Sequence, residues 1–134
     1  MTIALSPELR DARLQLIVDA LDGGAGAGYI EFFDGVRPAT GGPVTQLLST
    51  HNLSIPCGAV LNQSLVFGII EDDISADAAA DATWARFYDG DGAAHIDADC
   101  GLSGSGAEFI FDDDTILVGA LVRVIAGAIY EGAA

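Results

Sequence analysis

The chain contains no lysine and only five arginines, although its aspartates and glutamates number 20 and its formal net charge is −15. Without lysine there is no P-loop lysine, which excludes a Walker-type nucleotide site. A surface this acidic repels phosphate backbones and anionic lipid headgroups. We therefore expect no direct binding to nucleic acid and no association with a membrane, and a cationic partner suits this charge better.

Cysteine and histidine are also scarce, at two residues each: Cys57, Cys100, His51 and His95. The cysteines lack zinc-site spacing, and the histidines lie in no recognisable nucleophile motif. We expect a protein that is not an enzyme and has no cofactor and no bound metal. In a reducing compartment two isolated cysteines are more often buried thiols than a disulfide, but the sequence leaves their pairing open.

Secretory and membrane-spanning segments are not predicted. Residues 1–5 carry no basic group, and charged residues interrupt the apolar positions that follow. The longest apolar run, residues 116–130, has Arg123 near its centre and is shorter than the roughly 20 residues that a spanning helix needs. We expect synthesis in the cytoplasm.

Length and composition predict one domain over residues 1–134, because the chain is long enough to bury a core and 51% of its residues are hydrophobic. A helix is predicted over residues 6–22, with Ser6 as N-cap and Pro7 in the first turn. The glycines of Gly23–Gly28 follow a helix and lack dinucleotide-fingerprint spacing, so we interpret them as a link.

The predicted helix has a broad apolar arc that also contains two of the arginines, Arg10 and Arg13. Two interpretations stay open. Either their aliphatic stems cover apolar surface while the guanidinium groups reach water, or this face docks onto a second subunit with a matching carboxylate. The apolar positions of the arc are Leu9, Leu16, Ile17, Ala20 and Leu21.

Short strands separated by turn signals are predicted over residues 28–131. This pattern is typical of a mainly β fold, an antiparallel β-sandwich or a partly closed barrel. The run 116–130 is apolar on both faces and is expected to lie centrally in the sheet or against another chain. The other predicted strands are Tyr29–Asp34, Val44–Ser49, Leu65–Ile70, Thr83–Tyr88, Ala94–Asp97 and Glu108–Phe111.

A β-hairpin is the clearest local prediction. Trp84, Arg86 and Tyr88 alternate with residues that point to the other face, and the repeated Asp-Gly of residues 89–92 predicts a two-residue turn. Aromatic residues and arginine are typical interface anchors, so these three side chains form a candidate interface patch. Burial of Trp84 in the core is the alternative.

Two acidic groups are candidate metal sites, the first of them for calcium, because hard cations prefer several oxygen ligands. Asp89, Asp91, Asp97 and Asp99 lack EF-hand spacing. The run 71–73 with the run 112–114 needs two loops to meet. We interpret both groups as solvated turns.

Segments that run through nearly the whole chain are similar, in their order, to a group of small virion structural proteins of tailed bacteriophages. Their motifs are those of fold and turn, and no catalytic residue is carried over. The segments are residues 20–28, Gly28–Gly35 with Arg37-Pro38-Ala39, Gln46–Ser49, Ala82–Gly92, Asp97, Gly101, Ser105–Phe109 and Ile116–Gly119.

This resemblance implies a protein of the virion, made in the host cytoplasm. We expect a capsid decoration protein that binds the major capsid protein or other virion proteins and is a homo-oligomer. A head-tail connector or tail component is the alternative, and an acidic inhibitor that mimics nucleic acid is the second. The expected interface residues are Arg10, Arg13, Trp84, Arg86, Tyr88 and Arg123.

Overall fold

The fold is mainly β with one N-terminal helix, as the sequence predicts. The computed structural model describes residues 5–73, 76–102, 109–111, 115–116 and 124–130, with side chains described within 5–73 and 76–100. Its elements are α1 (Pro7–Leu21), β1 (Tyr29–Phe33), β2 (Leu47–Asn52), β3 (Gly58–Leu61), β4 (Ser64–Phe67), β5 (Ala80–Asp81), β6 (Trp84–Tyr88), β7 (Ala94–Leu102), β8 (Phe109–Phe111), β9 (Thr115–Ile116) and β10 (Val124–Tyr130).

Helix α1 begins and ends close to its predicted bounds. The Ser6 hydroxyl accepts a hydrogen bond from the backbone N–H of Leu9 at 3.1 Å, which satisfies one of the free donors of the first turn. Pro7 occupies the first helical position, where its missing N–H costs nothing. Beyond Leu21, Asp22 caps the helix and its N–H bonds back to the carbonyl of Val18.

The buried face of α1 differs from the predicted arc. Leu14, Val18 and Leu21 are buried, whereas Leu9 and Leu16 are exposed. The predicted arc was centred on the wrong side of the helix: it omitted Leu14 and Val18, which lie with Leu21 on the stripe buried in the core. The helix contacts β3 and β4. Two leucines of α1 are consequently left on the surface.

Eight strands form one sheet in the order β2-β1-β6-β7-β8-β10-β4-β3, and β5 pairs with β9 in a second, two-stranded sheet. Every pairing is antiparallel except that of β7 with β8, which is parallel. Strand β10 lies between β8 and β4, which agrees with the central place expected for an apolar run.

The sheet folds over on itself around one core. The rings of Phe67 on β4 and Phe87 on β6 lie 5.5 Å apart, although three strands separate β4 and β6 in the sheet. Among the described residues the sheet is open, with only an isolated bridge, Leu53 to Ile70, between the segments that follow β2 and β4. This arrangement corresponds to the sandwich rather than to the barrel. The core includes Leu14, Val18, Leu21, Ile30, Phe32, Leu65, Phe67, Ala85 and Phe87.

The hairpin of β6 and β7 has its predicted strands but not its predicted turn. Residues 89–93 connect the strands, so the connection has five residues instead of two. Gly92 adopts a positive φ of 85°, and the pairing register shifts between Phe87 and Tyr88. The Asp89 carboxylate explains the longer loop, because it accepts hydrogen bonds from the N–H groups of Asp91 and Ala93.

A second hairpin, β3 with β4, was not predicted. Its two-residue turn places Asn62 and Gln63 at φ values of 51° and 59°, the conformation of a type I′ turn. Glutamine rarely adopts a positive φ, so the sequence gives little sign of this turn. The Asp11 carboxylate on α1 supports it by accepting hydrogen bonds from the Gln63 N–H at 2.9 Å and from its side-chain amide.

Close backbone approach at Gly28 predicts a sharp effect of adding one carbon. A Cβ there would lie 2.6 Å from the carbonyl oxygens of Leu21 and Tyr88, and neither backbone atom moves easily. We expect Gly28→Ala to lower the free energy of unfolding by about 2 to 3 kcal/mol. The control Gly26→Ala meets nothing within 4 Å, and we expect a change below about 0.5 kcal/mol. Urea unfolding measures both, and equal effects would contradict the packing described.

Candidate functional site

One face of the sheet carries the hairpin residues that the sequence selected. In the register of β1 with β6, Tyr29 pairs with Tyr88, Glu31 with Arg86 and Phe33 with Trp84. These six side chains alternate with core residues, so they share the face directed away from the core. We call them the outer face. The predicted alternation of Trp84, Arg86 and Tyr88 is thus confirmed.

A buried ion pair lies at the centre of the outer face. Arg86 donates from Nε to one carboxylate oxygen of Asp97 at 2.7 Å and from a terminal nitrogen to the other at 3.0 Å. This bidentate geometry makes a strong charge-assisted pair, and only 6% of Arg86 is exposed. The hydrogen bond to Asp97 raises the pKa of Arg86. Burial would raise the pKa of Asp97, but the bonds from Arg86 and Gly41 outweigh it, and this pKa is lowered.

The loop between β1 and β2, residues 34–46, covers this pair. The Trp84 indole N–H donates to the Asp34 carbonyl at 3.0 Å and to the Thr45 hydroxyl at 2.9 Å. The Gly41 N–H donates to the Asp97 carboxylate at 3.2 Å. Because the loop is bonded to both Trp84 and Asp97, it shields them from solvent.

A second arginine ties the same loop to β7 from the outside. Arg37 lies 3.5 Å from the carboxylate of Asp99 and donates to the backbone carbonyl of Asp97 at 3.4 Å. Both side chains of the Arg37–Asp99 pair are about half exposed, at 41% and 54%. Solvent weakens this pair in comparison with the buried one.

Trp84 and Arg86, two residues of the predicted interface patch, are both buried within this chain, which for Trp84 is the alternative given above. Trp84 stacks on Phe33 at 4.5 Å, and the Arg86 guanidinium lies 5.3 Å from the centre of the Trp84 ring. Tyr88 is half-buried and stacks on Tyr29 at 4.8 Å. Burial, followed by the hydrogen bond with Glu31, raises the pKa of Tyr88 to about 12.

Exposed apolar side chains on α1 form a second surface. Leu9, Arg13 and Leu16 recur at helical spacing and lie on one stripe, in which Arg13 is exposed and Leu16 is 66% exposed. Arg10 is half-buried beside this stripe, and its buried Nε has no hydrogen-bond partner. We call these four residues the helix face. Arg123, the remaining predicted interface residue, lies outside the described residues.

The β3–β4 hairpin exposes a third surface, which carries no charge. Ala59 pairs with Val66, and Leu61 pairs with Ser64, so these side chains share one side of the hairpin. Leu61 is 69% exposed and Val66 is 53% exposed. We call Ala59, Leu61 and Val66 the hairpin face. The sequence missed it because β3 was not predicted.

A pocket of about 350 Å³ lies where the segments after β2 and β4 meet. Its apolar lining includes Leu53 and Ile69, and Glu71 stands exposed at its edge. Ala27, Asn52 and Ser54 also line it. Of the acidic run 71–73, Glu71 thus places one carboxylate at an apolar pocket.

A serine and a histidine form a buried pair on β2. The His51 Nδ1 lies 2.7 Å from the Glu71 carbonyl oxygen, which can only accept, so Nδ1 carries the proton. The His51 Nε2 then accepts from the Ser49 hydroxyl at 3.0 Å. Both side chains are fully buried, so no substrate reaches this hydroxyl in the described arrangement. The sequence missed the pair because β2 was predicted to end at Ser49.

The four aspartates of the hairpin are engaged by groups of the chain itself. The Asp89 carboxylate bonds His95 at 2.9 Å, and Asp91 accepts from the Ala25 N–H at 3.1 Å. Asp97 and Asp99 bind arginines, as described above. Within the described part of the chain, His, Cys, Asp and Glu side chains form no group of three or more that is placed to hold a metal ion. The run 112–114 lies outside it.

Cys57 and Cys100 are buried as thiols and form no disulfide. Burial, together with the charge and hydrogen bond of Asp22, raises the pKa of Cys57 to about 12. A thiol with such a pKa is a poor nucleophile at neutral pH. Cys57 therefore acts as a small core residue.

In the described residues, no helix has the length and apolar character required to cross a membrane. Comparison with known proteins found no matching family model, no matching curated protein and no matching solved structure.

The buried ion pair predicts a large and pH-dependent effect on stability. Arg86→Met leaves the Asp97 carboxylate buried without its partner, and we expect a loss of about 3 to 5 kcal/mol in unfolding free energy. Since the pKa of Asp97 is lowered in the fold, its contribution is present above its unfolded pKa of about 3.9 and is lost as pH falls through the folded value.

Urea unfolding followed by the fluorescence of Trp84, the single tryptophan, measures this effect at neutral pH and through the acid range. The matched control is Arg37→Ala, which removes the half-exposed pair and should cost less than about 1 kcal/mol. In Asp97→Asn, position 97 no longer titrates, so the unfolding free energy should lose the part of its decrease at acid pH that Asp97 causes. Equal effects of the two arginine changes would contradict the assignment of Arg86 as the central pair.

His51 predicts a second loss of stability on acidification, which begins at a higher pH than the loss caused by Asp97. Burial lowers the pKa of His51, and the Glu71 carbonyl and the charges of Asp73 and Asp72 oppose this only in part. The unfolded state then binds more protons than the fold below the unfolded pKa of about 6.5, so stability falls as pH decreases from that value.

We expect His51→Gln to abolish this fall, although the variant is less stable overall. His95→Gln retains His51 and should retain the fall. Thermal unfolding between pH 7 and pH 5 distinguishes them, and a His51→Gln variant with the same pH dependence as the parent chain would refute the assignment.

Proposed function

We propose that this chain is a non-enzymatic structural protein of a tailed-bacteriophage virion, namely a capsid decoration protein that binds the major capsid protein. The segments that carry the sequence resemblance coincide with elements that build the fold. Gly28–Gly35 contains β1, and Ala82–Gly92 contains β6 with the loop that follows. Because β1 and β6 pair with each other in the main sheet, a resemblance that includes both strands supports a common architecture.

The observation that carries the proposal is the presence of separate exposed apolar surfaces. The helix face and the hairpin face lie on different elements, and each exposes aliphatic side chains to solvent. Apolar patches on a highly charged protein are typical of contacts with other proteins. A decoration protein needs at least one such surface for the shell and another for its own copies.

The hairpin face is the better candidate for the shell. No residue in the range 58–67 is charged, so a partner meets no fixed charge on β3 or β4 themselves. A chain with a net charge of −15 repels most acidic surfaces, and a neutral face is where such repulsion is smallest. An exposed leucine then supplies the apolar contact.

Stabilisation of a shell follows from mass action. A subunit that binds only the mature shell lowers the free energy of that shell, and many copies multiply a modest contact. Such a role requires no cleft and no reactive side chain. It requires a domain whose contact surface is held in place, and the Asp11 carboxylate on α1 holds the β3–β4 turn in this way.

A head-tail connector or tail component remains the alternative, since it would use the same surfaces in a ring of few copies. The nucleic-acid mimic is less favoured. A mimic presents carboxylates along a continuous face, whereas Asp22, Asp89 and Asp97 accept hydrogen bonds from groups of the chain itself.

Binding to capsids tests the proposal. Purified chain added to shells that lack it should sediment with them and raise the temperature at which they open. Leu61→Asp should reduce occupancy by at least about tenfold, because it places a charge in an apolar contact. The matched control is Val36→Asp, which makes the same kind of change at a residue that is 86% exposed in the loop 34–46.

Because Leu61 and Val36 are both exposed, neither change removes a core side chain. Circular dichroism verifies that each variant is folded. Failure of the parent chain to bind any shell would overturn the proposal, and equal binding by the two variants would overturn the assignment of the hairpin face.

A further inference from the structure

We propose that two copies of this chain join through strand β3, which pairs in antiparallel orientation with β3 of the second copy and so continues the eight-stranded sheet from one copy into the other. This inference concerns contact between copies in solution. It does not depend on the proposed capsid role, and its test contains no capsid.

The edge of the main sheet at β2 is covered by the chain itself. The Asn52 carbonyl accepts from the Glu71 N–H at 3.0 Å, and the Leu48 carbonyl accepts from the Asp77 N–H at 2.8 Å. Between them, the Thr50 N–H donates to a carboxylate of the same covering segment at 2.9 Å. The outward backbone groups of this edge strand are therefore satisfied within one molecule.

Strand β3, at the other edge, is bonded on one side only. The Gly68 N–H donates to the Cys57 carbonyl at 2.8 Å, and bonded pairs alternate along an antiparallel ladder, so Ala59 bonds to β4. The N–H and C=O groups of Gly58 and Val60 then point away from β4. In the described part of the chain, none of these groups has a hydrogen-bond partner. The outward side of β3 is thus an open template for another strand.

Strand β3 also lacks the usual protection of an edge strand. A charged side chain, a proline or a bulge commonly discourages an edge from pairing with another chain. The four residues of β3 are Gly-Ala-Val-Leu, and their pairing with β4 runs without a shift of register. The side chains of Ala59 and Leu61 are exposed. A regular and uncharged edge of this kind is suited to continue its sheet.

The residues of β3 identify a second copy as the occupant. With a twofold axis at Ala59, Gly58 of each copy lies opposite Val60 of the other, and both of these pairs are hydrogen-bonded. Ala59 then faces its own counterpart in a non-bonded pair, whose Cα atoms approach to about 4.5 Å, and a methyl group fits there. Glycine opposite Val60 leaves room for the larger side chain. The strand is therefore complementary to itself.

Electrostatics favours the same contact. Two molecules that each carry −15 repel one another, so contact between copies costs least where neither side brings a charge. Residues 58–67 contain no charged side chain, and strand addition draws its affinity from main-chain hydrogen bonds, which need no opposite charge. Because a twofold contact uses the same surface on both copies, association ends at a dimer.

Charges at position 59 test the contact. Sedimentation velocity of the parent chain should show an equilibrium between monomer and dimer. Because residue 59 faces itself across the axis, Ala59→Lys and Ala59→Glu should each weaken dimerisation by at least about tenfold. An equal mixture of the two variants places opposite charges together and should form a mixed dimer with an affinity within about threefold of that of the parent.

The matched controls are Val36→Lys and Val36→Glu, which make the same changes of charge at a residue that is 86% exposed in the loop 34–46. They should alter dimerisation by less than about threefold. Circular dichroism verifies that every variant is folded.

Amide hydrogen exchange locates the contact. In the concentrated dimer the N–H groups of Gly58 and Val60 should exchange at least about tenfold more slowly than in the dilute monomer, whereas the Ala59 N–H, bonded to β4 in both states, should change little.

A parent chain that stays monomeric at every concentration and salt level would overturn the inference. So would a mixture of Ala59→Lys and Ala59→Glu that associates no better than either variant alone. Dimerisation that leaves exchange at Gly58 and Val60 unchanged would also overturn it, because the copies would then meet elsewhere.

Discussion

The buried pair of Arg86 and Asp97 is the interaction on which the outer half of this molecule depends. Arg86 and Asp97 lie opposite each other in the register of β6 and β7. The two hydrogen bonds between them fix that register more firmly than apolar contacts alone. The same carboxylate accepts from the Gly41 N–H, so it also holds the loop 34–46 in place. Through this loop Trp84 gains acceptors for its indole N–H, and a large aromatic residue can be buried on a face that would otherwise be open to water.

Much of the acidity of the chain has a structural use. Aspartates from the helix, the strands and the loops accept hydrogen bonds from backbone N–H groups that have no partner in a helix or strand, and each such donor needs an acceptor when it leaves solvent. Carboxylates that brace the backbone in this way do not need arginine or lysine as partners, so the chain folds with few positive charges. The aspartates concerned are Asp11, Asp22, Asp34, Asp73, Asp89, Asp91 and Asp97.

The sequence predicts the elements with strong local signals and misses those that depend on distant partners. The Ser6 cap with Pro7 locates α1, and the alternation around Arg86 gives the correct faces of β6. The β3–β4 turn is missed because Gln63 is stabilised at a positive φ by Asp11, far away in the sequence. Similarly, alternation shows that Trp84 and Arg86 share a face but not that a loop covers it, so the burial of Arg86 was not predicted and that of Trp84 stood only as the alternative. The pocket arises from two segments that meet only in the folded chain.

The central claim is that many copies of this rigid acidic domain cover a viral shell. The most direct measurement is the number of copies of this chain in purified particles, determined by quantitative mass spectrometry against the major capsid protein. The account predicts a number close to that of the major capsid protein or a simple fraction of it, as repeated sites on a symmetric lattice require. A count low enough for one ring at a single vertex would contradict decoration and indicate a connector or tail component, and absence from particles would contradict any structural role.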